Sequence, residues 1–545
     1  MDDNRNEIKR IRLLASSDVH GKMTPTNYLA ARFDPAGSLA QLATAISELR
    51  DDHTVVIDAG DSIQDNSADL FMDDPVHPMI LGQNAIGYDY WIIGNHDIDY
   101  GMEKLRQVME TQKAAVLACN VYDEKGTRIA RPYDIIEVDG IRLGFIGMTS
   151  PVIADTDIIR KAGYTVTDPI EETRKIISEI RGQTDALVAI THMGVVPNIS
   201  KKDTGTYELA EACPELDVII SAHEHKLIEG EIHNGVLIVE NLDMGQSLIE
   251  VQLEFECGGQ GRKLTGKSAK AILMKDYSPD AQLLSLFSPF EVRAIEDAQS
   301  PVGTIVRKAV DHLVYYRNEV TGEKVTYEPT DDAPYALVMD SDILSFISEV
   351  LLYYSGAEIA ATNFPGGRLP ELSVHMLKKE ICSFVKYPNY LCVLRMSGKQ
   401  LRRYMEWSAA YFKTISTPGE PVASAGERIS AYYDIFSGVE YKIDLAREPY
   451  DRIRDLRVNG VPVRDDDSFK VAVTDFRCNF LLLNDDGLFE GEEKPELVQK
   501  NVGIEIGNTQ ALLLDYVVHV LKGGIRLENI HNWEIVWGGR PSEES

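Results

Sequence analysis

Short, wholly apolar runs alternate with stretches of helical spacing through the first half of the chain. Leu13-Leu14-Ala15, Val55-Val56-Ile57, Trp91-Ile92-Ile93, Leu187-Val188-Ala189-Ile190 and Val218-Ile219-Ile220 read as strands buried on both faces. Ile141 to Ile146 and Val236 to Val239 add two more. Between them, Ser38 to Arg50, Met102 to Thr111 and Ile170 to Arg181 repeat apolar residues at helical spacing. Up to about residue 275 this pattern predicts a layered α/β domain. After Ser278-Pro279, the stretch from Asp280 to Gln299 reads as a helix that Pro289 should kink or divide. Ser300-Pro301-Val302-Gly303 then reads as an interdomain connector. From Thr304 a mixed α/β pattern restarts, with helices near Asp342 to Tyr354 and Lys399 to Tyr411 and a last strand from Trp533 to Trp537. The expected division is therefore 8–275, a connecting segment over 276–303, and a second domain over 304–538.

Composition narrows the partners. A chain of 545 residues is too long for one core, in keeping with two domains. Against 55 basic residues stand 86 acidic ones, a net charge of -31. Such a surface disfavours nucleic-acid polymers and anionic membranes as main partners. It leaves room for a small anionic substrate, because a local metal cation outweighs a distant diffuse charge. No apolar run approaches the roughly 20 residues that span a bilayer. The opening residues, Met1-Asp2-Asp3-Asn4-Arg5-Asn6-Glu7, lack the apolar core of a secretory leader, and the six cysteines are scattered. Cytoplasmic residence with free thiols is the expectation, and export behind a leader removed from this chain is the alternative. A monomer or weak dimer is expected.

The five strand-like runs each end in a group that can hold a metal. They lead to Asp18-Val19-His20, to Asp58-Ala59-Gly60-Asp61, to Gly94-Asn95-His96-Asp97, to His192, and to His223-Glu224-His225. A strand that stops at a ligand places it on the carboxyl edge of the sheet, where α/β proteins build their sites. Asp18, His20, Asp61, Asn95, His192, His223 and His225 mix carboxylate, amide and imidazole donors. That mixture suits Zn²⁺, Mn²⁺, Co²⁺ or Fe, and not the all-oxygen shell of Ca²⁺. Seven donors are too many for one tetrahedral ion and fit two divalent ions that share a bridge, for which Asp61 is the natural candidate. Two cations so placed would lower the pKa of a water between them, giving a hydroxide nucleophile near neutral pH.

Asp-x-His, Gly-Asp, Gly-Asn-His-Asp, a lone His and a final His-x-His, in that order, resemble the calcineurin-like metallophosphoesterase superfamily. The resemblance implies a four-layer α/β/β/α domain. It places Asp18, His20, Asp61 and His225 on one ion, and Asp61, Asn95, His192 and His223 on the other. It also implies a dyad, in which His96 touches phosphate oxygen and aids the leaving group while Asp99 orients its ring. Ala222 stands where a Gly is usual and Asp97 where Glu is common.

The second half resembles the carboxy-terminal domain of the 5′-nucleotidase family, a mixed α/β domain that supplies a nucleoside site. Asn363-Phe364-Pro365-Gly366-Gly367-Arg368 is similar to that family's Asn-x-x-Gly-x-Arg stretch, which implies substrate contacts from Asn363, Gly366 and Arg368. Tyr387-Pro388-Asn389 and Phe476 stand where family members sandwich the base, implying roles for Tyr387, Asn389 and Phe476. Several phrases, among them Val76-His77-Pro78 and Tyr433 to Val439, resemble the 2′,3′-cyclic-nucleotide 2′-phosphodiesterase/3′-nucleotidase branch. Asp99 departs from the Asn expected there, and Arg477-Cys478-Asn479-Phe480 replaces an expected Gly-rich turn. The resemblance further implies domain rotation about a hinge near Ser300 to Val306. The expected function is metal-dependent hydrolysis of nucleotide phosphoesters, with 2′,3′-cyclic and 3′-nucleotides ahead of 5′-nucleotides. The alternatives are a nucleotide-sugar or dinucleotide pyrophosphatase and a non-catalytic nucleotide-binding protein.

Overall fold

A computed structural model describes residues 7–28, 31–155, 159, 162–195, 205–258, 261–308, 314–364, 372–385, 389–426, 430–484, 487–503 and 506–538. The chain divides into two compact units, Met1–Ala298 and Gln299–Ser545.

In the first unit the apolar runs form the centres of two six-stranded sheets. One contains β1 (Glu7–Ser16), β2 (Thr54–Asp58), β3 (Tyr90–Ile92) and β4 (Ala115–Leu117), all parallel. The other contains β5 (Tyr133–Val138), β6 (Ile141–Thr149), β7 (Ala186–His192), β8 (Val218–Ser221), β9 (Ile228–His233) and β10 (Val236–Glu240), in the order β9-β10-β8-β7-β6-β5. The antiparallel pair β11 (Ser247–Gly258) and β12 (Gly261–Leu273) completes the first sheet in the order β12-β11-β1-β2-β3-β4.

Alternate residues of one strand enter different cores. Ile11, Leu13 and Ala15 of β1 join Val188, Ile190, Val218 and Phe145 between the sheets, while Leu14 faces the helices. Burial on both faces is why these strands read as continuous apolar runs. Helices Leu39–Leu49, Pro78–Ile86 and Met102–Thr111 cover one sheet, and Pro169–Ile180 and Thr206–Ala212 the other. The result is four layers, α/β/β/α. Local chemistry sets the helix starts: the Ser38 hydroxyl accepts from Gln41 N at 3.2 Å, and Asp168 accepts from Ile170 N and Glu171 N at 2.8 and 3.0 Å.

The helix Ala281–Ala298 packs on this unit through Leu283, Phe287 and Ala294. Of the kink or division expected at Pro289, the division does not occur. Pro289 lies on the exposed side, where water can satisfy the carbonyl that its missing N–H leaves free. The expected connecting segment is thus shared, since the strand Pro301–Lys308 belongs to the second unit.

The second unit is mixed α/β. Its central sheet runs β15-β13-β16-β14-β17, from β13 (Ile359–Thr362), β14 (Leu391–Ser397), β15 (Ile435–Ser437), β16 (Ser468–Thr474) and β17 (Glu496–Val502). Helices Asp342–Ser355 and Gly398–Ala409 pack on it, the latter started by a Ser397–Gln400 capping box. A second, six-stranded sheet ends the chain's described part with Trp533–Trp537. Among the described residues no helix is long and apolar enough to cross a membrane, and none of the six cysteines is in a disulfide.

Candidate functional site

The carboxyl ends of β1, β2, β3, β7 and β8 bring all seven expected donors to one edge of the first unit. Two groups form there: Asp18, His20 and His225, and Asp61, His192 and His223, with the donor atoms of each within 4.8 Å of one another. Asn95 joins the second, its Oδ1 lying 2.7 Å from His223 Nδ1.

The backbone is bent hard to achieve this. Asp18, His20, Asp61, His223 and His225 all have positive φ, between 48° and 89°. A non-glycine residue held there costs of order 1–3 kcal/mol, so five of them must be over-determined by their surroundings. The loops supply that support by pairing: Asp18 N bonds Gly60 O, His20 N bonds Asp61 O and Gly21 N bonds Ser62 O, at 2.8–2.9 Å. Asp97 ties the turn together from below, its buried carboxylate accepting from Asp61, Ser62, Ile63 and Gly94 N–H groups at 2.8–3.2 Å. Asp58 accepts from the Ser16 and Ser62 hydroxyls and Gly60 N at 2.7–3.1 Å. Two glycines are obligatory. A Cβ on Gly94 would lie 2.1 Å from Asp61 Oδ1, and one on Gly60 would lie 2.9 Å from His192 Nδ1.

Imidazole orientation is set by outer partners. His192 Nδ1 donates to the Ala59 carbonyl at 2.7 Å, which turns Nε2 inward, 3.0 Å from Asp61 Oδ2. That buried Nε2 has no hydrogen-bond partner. His20 Nδ1 is held by Gln64 Oε1 at 3.1 Å and His225 Nδ1 lies 3.4 Å from Asp243, so the two Nε2 atoms face each other at 3.3 Å. Burial lowers the pKa of His192, but Asp61 and Asp18 overcome it and raise it to about 10; burial and then Asp18 and Asp243 act likewise on His225, to about 10. The pocket is short of positive charge. An orphaned imidazole nitrogen, opposed ring nitrogens and carboxylates that draw protons onto the facing rings together fit divalent cations.

Beside these groups, His96 donates its backbone N–H to Asp61 Oδ1 at 2.7 Å and its Nδ1 lies 2.8 Å from Asp99 Oδ2. Burial lowers the His96 pKa, and Asp99 and Asp61 outweigh it to leave it at about 9.

In the second unit, Asn363 follows β13, Asn389 precedes β14 and Phe476 follows β16. β13 is parallel to β16 and β14 antiparallel to it, so all three residues reach the same sheet edge. Asp475 and Tyr390 lock the last two together, with Asp475 N on Tyr390 O at 2.7 Å and Tyr390 N on Asp475 Oδ1 at 3.0 Å. Gly366, Arg368 and Tyr387 lie outside the described residues.

Sequence reading assigned no role to Gln64, Asp97, Asp58 or Asp243, which hold the candidate ligands and their turns in place. Asp58 and Asp97 sit inside the motifs and could have been suspected. Nothing in the sequence marks Asp243, which reaches His225 only through the fold.

Residues 11–227 match the family model described as calcineurin-like phosphoesterase, and residues 332–481 match that described as 5′-nucleotidase, C-terminal domain. A 2′,3′-cyclic-nucleotide 2′-phosphodiesterase/3′-nucleotidase of Salmonella typhimurium is 24% identical, over 86% of this chain and 81% of its own length. A 5′-nucleotidase of Vibrio cholerae is 22% identical, over 86% of this chain and 84% of its own. A solved putative 5′-nucleotidase from Staphylococcus aureus superposes with a TM-score of 0.75 at 18% identity, covering 97% of this chain and 100% of that one. That structural likeness concerns the fold alone.

Proposed function

Because the chain belongs to the calcineurin-like phosphoesterases, with a 5′-nucleotidase C-terminal domain following in sequence, we propose that it hydrolyses nucleotide phosphoesters. Within that class, 2′,3′-cyclic and 3′-nucleotides stand ahead of 5′-nucleotides. The observation that carries the reading is the pair of carboxylate–imidazole groups meeting at Asp61, with the His96–Asp99 dyad beside them.

Asp18, His20, Asp61 and His225 would hold one divalent ion, and Asp61, Asn95, His192 and His223 the other, with Mn²⁺, Zn²⁺, Co²⁺ and Fe all suited to the donors. When bound, such ions supply Lewis acidity to the phosphate and to its attacking water. The chain's own residues do the rest. Asp61 lies between the two groups, with Oδ2 3.0 Å from His192 Nε2 and 3.9 Å from His20 Nε2. Asp99 fixes the His96 ring by its Nδ1 and leaves Nε2 to donate to a phosphate oxygen or to the departing alkoxide. In the second unit Asn363, Asn389 and Phe476 offer a substrate face, to which Gly366, Arg368 and Tyr387 would add. A guanidinium such as that of Arg368 can grip phosphate in two places.

A substrate panel tests this. With Mn²⁺, Co²⁺ or Zn²⁺ supplied, 2′,3′-cyclic, 3′- and 5′-nucleotides and UDP-glucose are compared and the products identified. Release of nucleoside or nucleoside monophosphate from the first three is expected. Nucleotide binding without hydrolysis by metal-replete protein would sink the reading, and preferential cleavage of UDP-glucose would replace it with a pyrophosphatase.

A further inference from the structure

Two of the six cysteines meet in the second unit. Cys392 lies near the start of β14, opposite Val473 of β16, and Cys478 follows β16. Both are wholly buried in the same core. The chain around them is pinned. Asp475 N donates to Tyr390 O at 2.7 Å and Tyr390 N to Asp475 Oδ1 at 3.0 Å, which joins the end of β16 to the chain just before Cys392. The Thr474 hydroxyl accepts from Arg477 N at 3.3 Å, and two guanidinium nitrogens of Arg477 lie 2.7 and 2.9 Å from the carboxylate oxygens of Asp434. Cys478 itself begins a π-helical turn, Cys478–Leu482, closed by Leu483 N on the Cys478 carbonyl at 2.9 Å. Such widened turns often sit at functional sites.

A buried cysteine is ordinarily a small, inert packing residue. This pair differs because the sulfurs are hydrogen-bonded to each other, with Cys478 donating to Cys392, and the Asn501 N–H donates to that same Cys392 sulfur. Two donors aimed at one sulfur favour its thiolate. The Cys478 contact holds the Cys392 pKa below its usual value, against the effect of burial. Cys478, as the donor, is pushed up and keeps its proton. Elsewhere burial raises Cys119 to about 12 and Cys213 to about 11, which makes those thiols far less reactive.

We propose that Cys392 and Cys478 are a site of reversible oxidation by hydrogen peroxide, whose product is a disulfide tying β14 to the turn after β16. Neither sulfur meets solvent, so the oxidant must be small, and peroxide is little larger than water. In the first step the Cys392 sulfur attacks peroxide. The O–O bond breaks, an S–O bond forms and water leaves, giving a sulfenic acid. In the second step the Cys478 sulfur attacks the Cys392 sulfur. The S–O bond breaks, an S–S bond of about 2.0 Å forms, and the hydroxyl leaves as water with the Cys478 proton. Two thiols and one peroxide become one disulfide and two waters. The chemistry does not depend on which ester the protein cleaves.

The test uses reduced, full-length protein loaded with Zn²⁺, which has no redox chemistry of its own. After peroxide treatment, titration with a thiol reagent in denaturant should show the loss of two of the six thiols, restored by dithiothreitol. Peptide mapping should find Cys392 joined to Cys478. Cys478→Ala should stop the sequence at the sulfenic acid, so that dimedone labels Cys392, and Cys392→Ala should leave Cys478 a thiol. Cys119→Ala should still form the cross-link. The mapping of wild type decides the matter whether or not these variants fold. Retention of all six thiols in folded wild type, a disulfide between other cysteines, or dimedone on Cys478 in place of Cys392 would overturn the inference.

Discussion

Asp61 shows how much one side chain is asked to do. Its Oδ1 accepts from His96 N, its Oδ2 faces His192 Nε2, its own N–H is held by Asp97, and its φ is 54°. Removing a single neighbour should therefore separate the roles of binding and chemistry. His192→Ala deletes a buried donor with no other partner, and metal bound per chain, measured by atomic emission, should fall from about two equivalents towards one. Near-normal metal content and turnover would remove His192 from the ligand set. His96→Ala should leave the metal content intact and lower kcat by about 10²–10⁴. Loss of metal from that variant would instead make His96 a ligand. At this scale the residue types at the strand ends already announced metal chemistry. The supports did not show, because Gln64 and Asp243 are recognisable only by what they touch.

Elements matter as frames that hold loops in costly shapes. The strand-end turns of the first unit are interlocked by backbone hydrogen bonds and by Asp97, and the turn after β16 in the second unit by the Arg477–Asp434 pair. That pair is almost wholly buried, so Asp434→Ala removes the carboxylate that offsets a guanidinium's charge in the core. A loss of about 3–5 kcal/mol in unfolding free energy is expected from denaturant titration. A change below about 1 kcal/mol would show that Arg477 finds another partner. The strands were legible because burial on both faces leaves an unbroken apolar signature. That the helix Ala281–Ala298 continues through Pro289 was not legible, because sequence does not say which side of a helix meets water.

For the molecule as a whole, metal binding and folding are one equilibrium. An ion that binds only the folded state stabilises it by mass action. At one hundred times its Kd, Mn²⁺ should stabilise the protein by about 2.7 kcal/mol per site, read as a rise in Tm. Asp18→Ala should shrink the rise. An unchanged Tm in wild type would mean that the site takes no Mn²⁺ under those conditions.

By itself the sequence determined the layered α/β class, the order of metal-binding groups and the family, because strand burial and ligand chemistry are written in local runs of residues. Only the tertiary structure decided which donors share a pocket, which carboxylates hold their turns, and that Cys478 meets Cys392 at a braced turn. Those facts depend on strand order and loop pairing between residues far apart in the chain. No local pattern encodes them.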